Sequence, residues 1–244
     1  MEESNQSMSR RTAFLDKVCR LSPAVGASLV RARALSWSPK ALHDHPRLLF
    51  THMREHGASL RAASSPLTDG QPWIQFQARD VIQQSLPLRP RIIEFGAGGS
   101  TLYWLRQGAS VTSGEHEPNW AERVQERALK LGDAGSRLDL RVIEPEPPRE
   151  PDELNYIGTT DDSLRHMSFR RYVHAIDDVP DFSADLVIDD GRARSAALRL
   201  APRKVRPNGL LVLDNAERVE YQSAQRALED QGWVWSRFFG PVPY

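Results

Sequence analysis

Cysteine is almost absent: Cys19 is the only one in 244 residues, so no intrachain disulfide can form, and a reducing compartment fits. An excess of either charge is absent too. The 32 basic residues, mostly arginine, balance 32 acidic ones, and no run of five or six like charges occurs. No global field therefore draws the chain to nucleic acid or to an anionic membrane. No apolar stretch approaches the roughly 20 residues that span a bilayer. Met1–Arg11 lacks the apolar core of a signal peptide. No internal repeat is visible. These absences read as a soluble, cytoplasmic protein with no nucleic-acid or membrane partner and an oligomeric state left open. What remains is length enough for one sizeable α/β domain with an N-terminal extension.

The apolar periodicity divides the chain at about residue 70. Residues 1–70 read as a helical and irregular extension, with Ala13, Phe14, Val18 and Leu21, then Leu48, Leu49, His52 and Met53, at helical spacing. A turn-rich break, Ser64–Pro72, follows. Residues 71–244 read as the main domain. It opens with an amphipathic helix over Trp73–Leu86, in which Ile74, Ala78, Val81, Ile82 and Leu86 share a face. Strands are then expected at Arg91–Phe95, Ser110–Glu115, Leu138–Ile143, Ala184–Asp189, Gly209–Asp214 and Trp233–Phe239. Helices are expected at Ser100–Gln107, Asn119–Leu131, Phe169–Ile176, Ala193–Val205 and Arg218–Gly232. The alternation predicts a doubly wound, mostly parallel sheet. Glu144–Leu154, acidic and proline-rich, cannot be a helix interior or a central strand. It is a solvated loop or a lid over substrate, and its composition favours the loop.

Chemistry concentrates at strand ends. Arg91-Ile-Ile-Glu-Phe-Gly-Ala-Gly-Gly-Ser-Thr101 runs from a short apolar strand into a glycine-dense turn and a helix start. Glu115, twenty-one residues after Glu94, closes the next strand. Glycines let a backbone approach a ligand, and an acid at the second strand tip can bind a ribose diol. A dinucleotide fingerprint needs Gly or Ala where Thr101 stands, which disfavours a nicotinamide cofactor. Further on, Asp185–Gly191 ends in paired acids and Gly209–Asn215 ends in Asp-Asn. On neighbouring strands, Asp190, Asp214 and Asn215 could converge. Oxygen ligands of that kind suit Mg²⁺ or Ca²⁺. The commoner fate of such acids is pairing with Arg192, Arg194 or Arg218. His43, His45, His52 and His56 form a row that no carboxylate pattern completes. His166 and His174 could each act as a base. Trp73, Phe76 and Trp104 read as core.

Several segments together resemble a branch of class I S-adenosylmethionine-dependent methyltransferases. They are Pro72-Trp-Ile-x-Phe, Glu94-Phe-Gly-Ala-Gly-Gly-Ser-Thr-Leu-Tyr, Ser113-Gly-Glu-His-Glu-Pro-Asn-Trp120, Tyr172-Val, Asp190-Gly-Arg-Ala-Arg194, Pro207–Arg218 and Phe239-Gly-Pro, so the resemblance covers about residues 70–244. It implies a Rossmann-like methyltransferase sheet and a cofactor site at Glu94, Gly96, Gly98, Ser100, Glu115 and His116, with Glu115 on the ribose and His116 near the adenine. The acceptor is expected to be a small molecule methylated on a hydroxyl, with Asp190 catalytic. Asp190, Asp214 and Asn215 look like the metal ligands of catechol-type O-methyltransferases. Those enzymes carry a lysine three residues after the first metal Asp, where this chain has Ala193. The family's last, antiparallel strand is expected to be missing here. These two departures keep a second reading open, a methyltransferase-fold partner module without activity.

Overall fold

The computed structural model describes residues 55–60, 64–148, 156–157, 164, 166–238 and 242–243. The helical patterns at 13–21 and 48–53, and His43, His45 and His52, lie outside them. The described residues fall into two compact units, one comprising those up to Val81 together with those from Arg237 onward, and one running from Ile82 to Ser236.

In the first unit, α1 (Pro66–Asp69) starts where the Ser65 hydroxyl accepts from Thr68 N and stops at Gly70, whose φ of 57° suits a residue without a Cβ. Helix α2 (Phe76–Ser85) crosses the division between units. The Arg79 guanidinium lies 5.3 Å over the Phe76 ring and pairs with Glu55 and Asp80. Phe76 is core, as expected, but Trp73 is 53% exposed.

The second unit carries five strands: β1 (Arg91–Phe95), β2 (Ser110–Glu115), β3 (Leu138–Val142), β4 (Ala184–Asp189) and β5 (Val205–Leu213). Their order is β3-β2-β1-β4-β5 and every pairing is parallel. This is a Rossmann-like, doubly wound arrangement. The central strands read as continuous apolar runs because helices cover both faces; β4 is buried at every position. Between the strands lie α3 (Gly99–Arg106), α4 (Pro118–Leu129), the short α5 (Arg170–Val173), α6 (Arg194–Leu200) and α7 (Gln222–Asp230). Trp104 of α3 is fully buried. Helix α4 begins at Glu117, whose carboxylate accepts from Asn119 N and Trp120 N, with Pro118 in the first turn.

Register decides where chemistry can sit. Phe95 pairs with Gly114 and with Asp189, and Asp189 with Leu213. The carboxyl ends of β2, β1, β4 and β5 are therefore level, and the residues that follow them form one row. At the other end Asp185 accepts the first amide of β1, Arg91 N, at 2.7 Å and pairs with Arg206. Lys204, 1% exposed, donates to Val179 O, Asp177 O and Asp181 and pins the loop before β4.

Two expectations are corrected. Residues 233–238 form no strand. Gly232 at φ 90° turns the chain so that Trp233 N bonds Leu228 O, and Trp233 and Trp235 pack on the cluster of Leu198, Ala224 and Leu228. The alternating Trp-Val-Trp pattern reflects that packing, with Val234 exposed. Strand β5 also starts at Val205, earlier than expected, and passes through an irregularity where Asn208 takes φ 64°. Among the described residues no helix is long and apolar enough to cross a membrane.

Candidate functional site

The turn between β1 and α3 is built around Glu94. Its carboxyl is completely buried, and Oε2 accepts from Thr101 Oγ1 at 2.5 Å and Ser113 Oγ at 3.4 Å. Thr101 Oγ1 in turn accepts from Gly98 N at 2.9 Å, so one side chain on α3 ties the turn to the strand beneath it. Glu94 Oε1 has no protein partner. Burial raises this carboxyl to about 7, against the hydrogen bonds of Ser100, Thr101 and Ser113 and with help from the charge of Glu115. Gly96 takes φ 90°, and a Cβ there would lie 3.1 Å from both Asp190 O and Gly191 Cα. Only glycine fits that approach to the tip of β4. Gly98 has extended backbone, and a Cβ there would meet only the Trp120 ring, at 3.9 Å. A side chain at Gly98 would instead fill the space in front of the turn. Trp120 Nε1 donates to Ala97 O at 2.7 Å and holds the turn from α4. Sequence reasoning missed that clamp; its signal was a tryptophan in the first turn of the helix after β2.

Glu115 ends β2 as expected, but its carboxylate is well occupied. Oε1 accepts from His116 N at 2.7 Å and Glu117 N at 2.9 Å and lies 2.8 Å from His116 Nδ1. Oε2 accepts from Ala97 N at 3.0 Å. Burial pushes this carboxyl up, but the His116 contact and the amides of Glu117 and Ala97 outweigh it and hold it below the usual range. The remaining lone pair on Oε2 is the capacity left for a hydroxyl donor. The His116 ring packs edge-on against Phe169 and Tyr172, and its Nε2 lies 3.4 Å from Arg192 Nε.

Asp190, Asp214 and Asn215 do converge, and Arg194 sits among them. Its Nη2 donates to Asp190 Oδ1 at 2.7 Å, and its Nη1 donates to Asp214 O at 2.6 Å and Asn215 Oδ1 at 3.2 Å; Asp214 Oδ2 is 3.6 Å away. Asp190 and Asp214 are both raised, chiefly by burial; Asp214's charge lifts Asp190 further, and Arg194 opposes the rise in each. For Asp190, Asp214 and Asn215 the arrangement is that of the expected arginine pairing, with Arg194 as the partner. Their oxygens surround a guanidinium, and no group of three or more His, Cys, Asp or Glu side chains among the described residues could hold a metal. Ala193, where a lysine was looked for, adopts φ 48° as the residue preceding α6 and so delivers Arg194 into the cluster.

Two buried groups stand in segments the sequence singled out, the paired acids and Tyr172-Val, but were not named as site residues. Asp189 is fully buried with neither oxygen partnered by protein, and burial holds it well above the usual range. The Tyr172 hydroxyl is likewise buried and unpartnered, and a Cβ on Gly191 would fall 1.9 Å from it. His174 lies beside β3 instead, its Nδ1 2.8 Å from Asp177 and its Nε2 3.1 Å from the Tyr156 hydroxyl.

No family model matches the chain, and no curated protein does. Among solved structures it is similar to a methyltransferase-like protein of Silicibacter pomeroyi, with 21% identity over 64% of this chain and 79% of that one, at a TM-score of 0.46. It is also similar to a TehB-like SAM-dependent methyltransferase of Corynebacterium glutamicum, with 13% identity over 76% and 83%, at a TM-score of 0.39. A third is the glycopeptide N-methyltransferase MtfA complexed with sinefungin, with 15% identity over 58% of this chain and 56% of that one, at 0.34. The chain's own five-stranded parallel order, with a glycine turn at the tip of its central strand, is that of a Rossmann-like, doubly wound fold.

Proposed function

We propose that the chain is an S-adenosylmethionine-dependent methyltransferase acting on a hydroxyl of a small molecule. The observation that carries this reading is the turn after β1. Gly96 is forced against the tip of β4, Glu94 is buried under the turn with one free oxygen, and Glu115 stands level on the neighbouring strand. Glu94 and the turn around Gly96, Gly98 and Ser100 would hold the methionine half, and Glu115 Oε2 a ribose hydroxyl, with His116 beside the adenine. The cofactor, when bound, supplies a methyl group activated by a sulfonium. The protein's share is to hold donor and acceptor in line and keep water out. Asp190, half-buried and with its proton affinity raised, would take the acceptor's proton.

A second reading, a methyltransferase-fold module without activity, is favoured by the near-saturation of Glu115. Calorimetric titration with S-adenosylhomocysteine and, separately, NAD tests both. Binding of the first and not the second is expected. NAD binding without S-adenosylhomocysteine binding would sink the cofactor assignment, and binding of neither would leave the module.

A further inference from the structure

We infer that Arg194 is the resident cation of this site and takes the place a divalent ion would have between Asp190, Asp214 and Asn215, so that an acceptor is held without metal chelation. The inference rests on the methyltransferase reading only for what the site accepts.

A guanidinium carries five N–H donors in a fixed plane. Here they have five protein acceptors. Nε donates to Gly191 O at 3.0 Å, Nη1 to Asp214 O at 2.6 Å and Asn215 Oδ1 at 3.2 Å, and Nη2 to Asp190 O at 3.2 Å and Asp190 Oδ1 at 2.7 Å. The side chain is 10% exposed, and the Tyr221 ring lies 5.9 Å from its centre. Arg194 therefore has no donor left for a substrate. Its work is internal: it stitches the loop after β4 to the loop after β5 and supplies one positive charge to two acids.

A dication needs the same oxygens. Mg²⁺ asks for six oxygens in near-octahedral order at about 2.1 Å. Asp190 Oδ1 and Asn215 Oδ1 already accept from Arg194, and Asp214 Oδ2 stands 3.6 Å from it. An arriving dication would meet a buried guanidinium that it repels and that cannot lose its proton. Vicinal hydroxyls held by two bonds to one metal are thus not the geometry offered. Of the two acids, Asp190 is the more open, 30% exposed against 11% for Asp214. It can meet one hydroxyl by a hydrogen bond. The acceptor class that fits is a single hydroxyl positioned by shape and by Asp190.

Mn²⁺ titrated into the full-length wild-type protein and followed by electron paramagnetic resonance tests this directly. The signal of the free hydrated ion should be undiminished at millimolar Mn²⁺. Loss of that signal through a site that disappears in Asp214→Ala would overturn the inference. Arg194→Gln removes the charge and should gain a Mn²⁺ site at least tenfold tighter than any in wild type, with a Mg²⁺-dependent rise in Tm that wild type lacks. A folded Arg194→Gln that binds no Mn²⁺ would show that these oxygens are not a cation site for Arg194 to fill. If the variant does not fold, the wild-type resonance decides alone. Failure of S-adenosylhomocysteine to bind would strike the cofactor reading and leave the Mn²⁺ result standing.

Discussion

Glu94 and Glu115 are the same functional group at the tips of adjacent strands, and their surroundings drive them in opposite directions. Glu115 is wrapped by the amides of Ala97, His116 and Glu117 and held low; Glu94, deeper and with one oxygen bare, is held near neutral. Glu115 is therefore as much a structural residue as a candidate ligand. Replacing it with alanine strands three backbone N–H groups, at roughly 1–3 kcal/mol for each that water does not reach. We expect Glu115→Ala to lose about 3 kcal/mol in urea unfolding; a loss under about 1 kcal/mol would mean the amides find other acceptors. The sequence places both acids correctly at their strand tips, because strand, turn and helix follow from local apolar pattern and glycine. It is silent on which acid is charged, since that depends on Thr101, Ser113 and the Ala97 amide, which tertiary packing brings together. Arg194 shows the same limit: it was one of three arginines near the acids, and only the left-handed turn at Ala193 selects it.

Among the elements, α5 is the least regular part of the prediction and the most constrained part of the structure. Four helical residues carry Tyr172 under the loop after β4, where its hydroxyl occupies the volume a side chain on Gly191 would need. A Cβ there would also lie 2.9 Å from Phe95 C. Overpacking of this kind costs about 1–3 kcal/mol, so Gly191→Ala should lower the unfolding free energy extrapolated from urea titration by that much. Tyr172→Phe deletes an unpartnered buried hydroxyl and should be neutral or stabilising by up to about 1 kcal/mol. Combining the two should recover at least about 0.5 kcal/mol of the glycine variant's loss; strictly additive losses would mean that Phe95 rather than Tyr172 sets the limit. The long periodic elements, β1, α3, β2, α4 and β4, were legible because the 2.0- and 3.6-residue periods survive in them. The elements misjudged were those where glycine, proline and left-handed residues interrupt the pattern, β5 around Asn208 and the segment from Trp233.

At the scale of the whole molecule, level strand ends gather four acids whose proton affinities are all raised: Glu94, Asp189, Asp190 and Asp214. A carboxyl raised on folding binds its proton more tightly in the native state. Its contribution is fully present below the unfolded value and is lost as pH climbs to the folded one. For Glu94 that window runs from about 4.5 to about 7. At 1.36 kcal/mol per unit the loss is about 3 kcal/mol across it. Glu115, Asp178 and Asp181 are lowered and act in the opposite sense, losing their contribution only as pH falls below the ordinary carboxyl range. The ligand-free protein should thus be most stable near pH 5 and weaken toward pH 8. Glu94→Gln isolates one share of that slope, because a neutral amide neither binds nor releases a proton over the window. Urea unfolding of wild type and Glu94→Gln at pH 5 and pH 8 should show the variant losing about 2.5 kcal/mol less than wild type, since part of the window lies below pH 5. Parallel losses in the two proteins would mean that Glu94 is ionised in the native state at pH 5 and that its bare oxygen is solvated.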